Sequence, residues 1–171
     1  MRIAIIGTGN VGSALAHGLR GKGHVVFLGA RRPETPDIIA LVEATGATPA
    51  FPAAAVTEAE IVILALPWAA AEAAVRDLGD LSGKTVIDCM NPLGRTAGGM
   101  GLVIGHDTSG GETVQGWLPG AHVVKTLNQV GAEIMARNDT LARHPAMFMA
   151  GNSPSAKAEV ALLLDGLGFA P

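Results

Sequence analysis

The sequence predicts an α/β fold: a single domain of the doubly wound kind, with helices on both faces of a mainly parallel sheet. Three observations carry this. Short aliphatic runs alternate with Ala/Leu-rich segments of helical period. The runs, such as Ile61-Val62-Ile63-Leu64, are apolar at every position, as strands buried on both faces require. The length, 171 residues, suits one domain, and no internal repeat is present.

The elements follow in chain order. Ile3 to Ile6 reads as a buried first strand. A helix runs from about Asn10 to Arg20, with Val11, Leu15, Ala16 and Leu19 on one side, and Gly21-Lys22-Gly23 stops it. His24 to Leu28 is the second strand, and Asp37 to Glu43 is a helix ended near Gly46. Ile61 to Leu66 is the central strand, followed by a helix from Trp68 to Leu78. Thr85 to Asp88, His122 to Lys125 and Ala146 to Ala150 read as three further strands, and a last helix spans Ser155 to Leu167. Between Asn91 and Gly111 the chain turns Gly-rich and polar, as a functional cover or a surface excursion would.

Composition excludes several classes. Hydrophobic residues make up 49% of the chain and charged ones 16%, too apolar for a disordered segment. The 23 Gly show no Gly-X-Y period, so collagen is excluded. With 12 basic against 15 acidic residues there is no broad phosphate-binding face, so nucleic acid is not an expected partner. Cys89 is the single cysteine and the five His show no ligand spacing, so neither an internal disulfide nor a metal site is expected. The longest apolar run, Ile61 to Ala71, is broken by Pro67 and is half a membrane span. The expectation is a cytoplasmic protein with no membrane partner.

Gly7-Thr8-Gly9-Asn10-Val11-Gly12 is a G-x-G-x-x-G string set between a strand and a helix, with a second strand following. That context marks a Rossmann-type dinucleotide site. Gly7 would permit the tight turn, Gly9 the approach of a pyrophosphate and Gly12 close helix packing. The second strand then ends in Gly29-Ala30-Arg31-Arg32, with no carboxylate at its tip to accept a ribose 2′-hydroxyl. Two guanidinium groups there favour a 2′-phosphate, hence NADP(H) over NAD(H).

Ligands of open parallel sheets sit beyond the carboxyl ends of the strands. Leu66, Pro67 and Trp68 could form an apolar wall for a nicotinamide ring, although strand-to-helix punctuation and a packing Trp explain Trp68 equally. Asn91 and Pro92 could line the same cleft, and Asn128 lies near a third tip. Lys125 could hold an anionic group or simply snorkel at an edge. No G-x-S-x-G elbow or Cys–His pair is present, and no catalytic acid–base residue is assigned. Hydride passing between two rings needs apposition and water exclusion more than proton transfer.

Met1 to Gly12, then Gly29-Ala30-Arg31-Arg32, then Leu64-Ala65-Leu66-Pro67-Trp68 resemble the coenzyme F420-dependent NADP oxidoreductases. Asp88 to Leu93 and Val123 to Asn128 are more similar to the wider bacterial group of NADP-binding reductases around them. That group also resembles the oxidoreductase domain of six-transmembrane ferric reductases, which pass hydride from NADPH to a flavin. The resemblance implies that Thr8, Gly9, Asn10 and Val11 contact the pyrophosphate. It implies that Ala30, Arg31 and Arg32 hold the 2′-phosphate and that Leu66 and Pro67 flank the nicotinamide. It further implies hydride transfer with coenzyme F420 or a flavin, and a homodimer. Three departures stand out. The family often has Ser at Ala30, and deazaflavin enzymes often carry a His-containing tip at Lys125 to Asn128. Members also continue beyond Phe169-Ala170-Pro171 into an Asp-Ala-Gly segment and a helix, which is not expected here. A non-catalytic NADP-binding module that senses redox state is the alternative from another class. An imine or keto-acid reductase is a third reading, and such enzymes normally use an added helical domain.

Overall fold

A computed structural model describes residues 1–137 and 141–171. In chain order the elements are β1 (Arg2–Ile6), α1 (Asn10–Leu19), β2 (Val25–Gly29), α2 (Pro36–Thr45), β3 (Thr48–Ala50) and α3 (Pro52–Glu58). Then come β4 (Ile61–Leu64), α4 (Trp68–Arg76), β5 (Thr85–Asp88), β6 (Leu93–Thr96), β7 (Gly99–Leu102) and α5 (Gly110–Trp117). The chain continues through β8 (His122–Lys125), α6 (Ala132–Arg137) and α7 (Pro154–Gly166).

Six strands form a parallel sheet in the order β3-β2-β1-β4-β5-β8, and β6 and β7 make a separate antiparallel hairpin. Alternation along each strand divides the core into two layers. Ile3, Ile5, Ile61, Ile63, Ile87 and Val124 meet Leu15 and Leu19 of α1 and Val160, Leu163 and Leu164 of α7. Ala4, Ile6, Val62, Leu64, Val86 and Val123 meet Ala55 and Val56 of α3, Ala71 and Val75 of α4, and Val114 of α5. Both faces being covered is why β4 and β5 are buried at every residue.

Helix ends follow local chemistry. Proline occupies the first turn of α2, α3 and α7, where its missing N–H costs nothing. Gly46 ends α2 in the left-handed region at φ 74°. Ser109 and Glu112 form a capping box at α5, each side chain taking the other's backbone N–H.

One expected strand is absent. Ala146 to Ala150 makes only isolated bridges, Ala146 to Ala170 and Ala150 to Lys125. The backbone of Phe148 between them bonds side chains instead. Its N–H donates to Gln129 Oε1 at 3.2 Å, and its carbonyl accepts from Gln129 Nε2 and Thr126 Oγ1 at 2.8 and 2.9 Å. Those bonds interrupt any ladder along β8. Conversely, β3, α3, α5 and α6 are not among the expected elements, and the β6–β7 hairpin lies in the Gly-rich stretch from Asn91 to Gly111. No helix among the described residues is long and apolar enough to cross a membrane.

Candidate functional site

The strand order places β1 and β4 side by side, with β2 and β3 on one flank and β5 and β8 on the other. Connections diverge between these two central strands, so their carboxyl ends frame a crevice. A cleft of about 250 Å³ lies there, lined by Gly9, Asn10, Val11, Ala65, Leu66, Pro67, Cys89, Met90 and Asn91.

The fingerprint glycines divide into two kinds. A Cβ on Gly7, at φ 106°, would strike the Ala65 carbonyl oxygen, and one on Gly12 would strike the Gly7 carbonyl oxygen. Both are required by the fold. A Cβ on Gly9 would meet nothing within 4 Å, so packing does not require glycine at that position. Gly9 is also the N-cap of α1 and supplies no side-chain cap, while no acidic residue stands in the first turn. The leading N–H groups of Asn10, Val11 and Gly12 therefore combine with the positive end of the helix dipole.

At the tip of β2, the Gly29 carbonyl accepts the Gly7 N–H at 3.3 Å, and the Ala30 N–H donates to Ala50 of β3 at 3.0 Å. These bonds fix the strand end beside the fingerprint turn. Ala30 is buried, whereas Arg31 and Arg32 are exposed, with no ion pair among the described residues.

The structure brings Gly9, Asn10, Val11, Leu66, Pro67 and Asn91 into one hollow and leaves three proposed neighbours outside its lining. The Trp68 ring packs on Trp117 of α5, centroids 5.3 Å apart, so it joins α4 to α5 rather than walling the cleft. Pro92 is buried at the base of the hairpin, where its carbonyl accepts the Val103 N–H at 2.9 Å. Asn128 stands behind Asn91, donating through Nδ2 to Asn91 Oδ1 at 3.2 Å.

Sequence reasoning missed Asp88 and left the role of Lys125 open. Asp88 is fully buried at the end of β5, with Lys125 Nζ 3.2 Å from Oδ2. Burial pushes the Asp88 carboxyl up, against the pull of Lys125 and the Met90 N–H. An acidic residue closing the apolar run Thr85-Val86-Ile87 was the available signal. Cys89 is also buried, and its thiol is pushed well above the usual range by desolvation and then by Asp88. Among the described residues no group of three His, Cys, Asp or Glu could hold a metal ion.

A crevice at the reversal of strand order, a glycine turn opening onto an uncapped helix and a cationic strand tip define a Rossmann-type dinucleotide-binding domain. Residues 2–92 match the family model for NADP oxidoreductase, coenzyme F420-dependent. The fold superposes with TM-score 0.89 and 36% identity on a crystal structure from Arthrobacter sp. FB24 provisionally described as an F420-dependent NADP-reductase, covering 99% of this chain and 82% of that one. A hypothetical protein, SMa0349 from Sinorhizobium meliloti, matches at TM-score 0.84 and 29% identity over 100% of this chain and 83% of that one. An imine reductase from Pseudomonas sp. shares the fold at TM-score 0.69 and 22% identity, over 94% of this chain and 51% of that one. The chain belongs to the coenzyme F420-dependent NADP oxidoreductase family, and its chemistry is NADP-dependent oxidoreduction.

Proposed function

We propose that this protein moves hydride directly between the nicotinamide of NADP(H) and a second ring-bearing substrate, a deazaflavin of the coenzyme F420 kind before a flavin. The observation that carries the reading is the cleft itself. It joins the tips of β1, β4 and β5 beside the open end of α1, and two guanidinium groups with no ion pair among the described residues stand at the tip of β2.

The residues divide the cofactor between them. Arg31 and Arg32 would clamp the 2′-phosphate, with Ala30 beneath them. Thr8, Gly9, Asn10 and Val11 would present backbone N–H groups to the pyrophosphate. Leu66 and Pro67 would lie against the nicotinamide and exclude water, and Asn91, held by Asn128, would stand beside its carboxamide. The bound nicotinamide supplies or accepts the hydride. Among the described residues lining the cleft, Cys89 is the one titratable side chain, and its thiol is held neutral by burial. Apposition of two rings, rather than acid–base catalysis, is the chemistry such a lining suits.

The test is NADPH oxidation with coenzyme F420, FMN and FAD supplied in turn. Turnover with F420 supports the reading, and turnover with FMN or FAD alone moves it to a flavin. NADPH binding without turnover on any of them overturns it in favour of a redox-sensing module.

A further inference from the structure

Beneath the cleft lies a charged pair that binding a dinucleotide does not require. Asp88 and Lys125 are register partners at the ends of β5 and β8. The carboxylate is fully buried and the lysine side chain is one-fifth exposed, at 20%. Both backbone polar groups of Met90 are held by this pair. The Met90 N–H donates to Asp88 Oδ1 at 2.8 Å, and the Met90 carbonyl accepts from Lys125 Nζ. Lys125 thereby spends two of its three N–H donors inside the fold. Above it, Asn91 Nδ2 donates to the Asn128 main-chain carbonyl and Asn128 Nδ2 to Asn91 Oδ1.

Holding a core together does not need such a pair. Apolar side chains of similar volume stabilise a buried site as well as, or better than, an ion pair that must be desolvated. They cannot, however, accept a backbone N–H and donate to a carbonyl of one residue at once. That double grip sets where Cys89, Met90 and Asn91 stand, and these three are one wall of the cleft.

We propose that Asp88 and Lys125 are positioning residues for hydride transfer. Their pair holds the Met90 backbone and so presses the Cys89–Asn91 wall against the nicotinamide. The inference rests on the reading that this cleft takes the nicotinamide end. Its loss should leave the adenosine end bound and let the ring wander, at a cost of about tenfold or more in transfer rate.

The experiment compares wild type with Lys125→Met, Lys125→Arg and the double variant Asp88→Asn/Lys125→Met. Removing one charge alone strands its partner, so Lys125→Met is expected to lose stability, and the double variant isolates geometry from that cost. The probe is NADPH, read by its Kd, by the emission and anisotropy of the reduced nicotinamide, and by melting temperature. The expected result is a folded double variant that binds NADPH with little change in Kd while its nicotinamide emission moves toward that of free NADPH. Lys125→Arg should restore the wild-type signal. A double variant with wild-type emission and anisotropy overturns the proposal and leaves the pair a structural feature. If wild-type NADPH binds yet shows no change in nicotinamide emission, the nicotinamide assignment of the cleft fails first, and the proposal with it.

Discussion

The Cβ that Gly12 lacks would collide with the carbonyl oxygen of Gly7, five residues earlier, whereas a Cβ on Gly9 between them would meet nothing within 4 Å. The two positions should therefore separate folding from binding. Gly12→Ala should cost about 1–3 kcal/mol through overpacking and lower the melting temperature by several degrees. Gly9→Ala should melt with the wild type and bind NADPH more weakly, because its methyl group would occupy the pyrophosphate's approach. Calorimetry and a binding titration on both variants check this, and equal Tm losses would refute the distinction.

Arg31 is exposed and makes no ion pair among the described residues, so its removal should cost no stability. Arg31→Ala should weaken NADPH by about 1.5–3 kcal/mol, the range for a lost charged hydrogen bond, and leave NADH nearly unchanged. Parallel titrations with the two cofactors measure the ratio. Equal weakening of both would remove the 2′-phosphate role.

Cys89 lines the cleft yet should be chemically silent. Desolvation first, and Asp88 second, push its thiol well above the ordinary range, so almost no thiolate exists near neutral pH. A chromogenic disulfide reagent should leave the native protein unmodified and titrate one thiol in denaturant. Rapid modification of the native state would contradict the buried tip of β5.

The capping box of α5 should show in the acid limb of stability. Hydrogen bonds from the Ser109 hydroxyl and backbone N–H hold the Glu112 carboxyl below its ordinary value. A carboxylate lowered in the folded state contributes stability above its unfolded pKa and loses it as pH falls through the folded one. Glu112→Gln should thus flatten the fall of Tm in that acid window. It should not abolish it, because Asp80, lowered likewise by Ser82, titrates there too. Superimposable Tm–pH curves for variant and wild type would exclude Glu112 as a contributor.

Several elements were legible because their signals are local. Thr85–Asp88 and His122–Lys125 match their apolar runs residue for residue, and α1 ends one residue before the expected Arg20. Other elements lacked such a signal. β3 is three residues long, contains Pro49 and is largely exposed, so neither period nor burial marks it. Helix α5 did announce itself through Ser109 and Glu112 at capping-box spacing, at the end of a stretch whose glycines suggested a loop. The expected strand at Ala146–Ala150 failed for a nonlocal reason, since Gln129 and Thr126 take the backbone bonds of Phe148.

By itself the sequence determined the parallel, doubly wound sheet, the dinucleotide turn and the cationic tip of the second strand. Each depends on spacing along the chain, through apolar period, glycine position and the residue types at one strand end. Only the tertiary structure decided that Trp68 faces Trp117, that Pro92 is buried beneath the hairpin and that Asp88 meets Lys125 under Met90. Those outcomes depend on lateral strand register and on which helix packs over which tip. The two side-chain pairs join residues 37 and 49 positions apart in the chain (88 to 125, 68 to 117). The wall of the cleft is therefore a product of strand pairing.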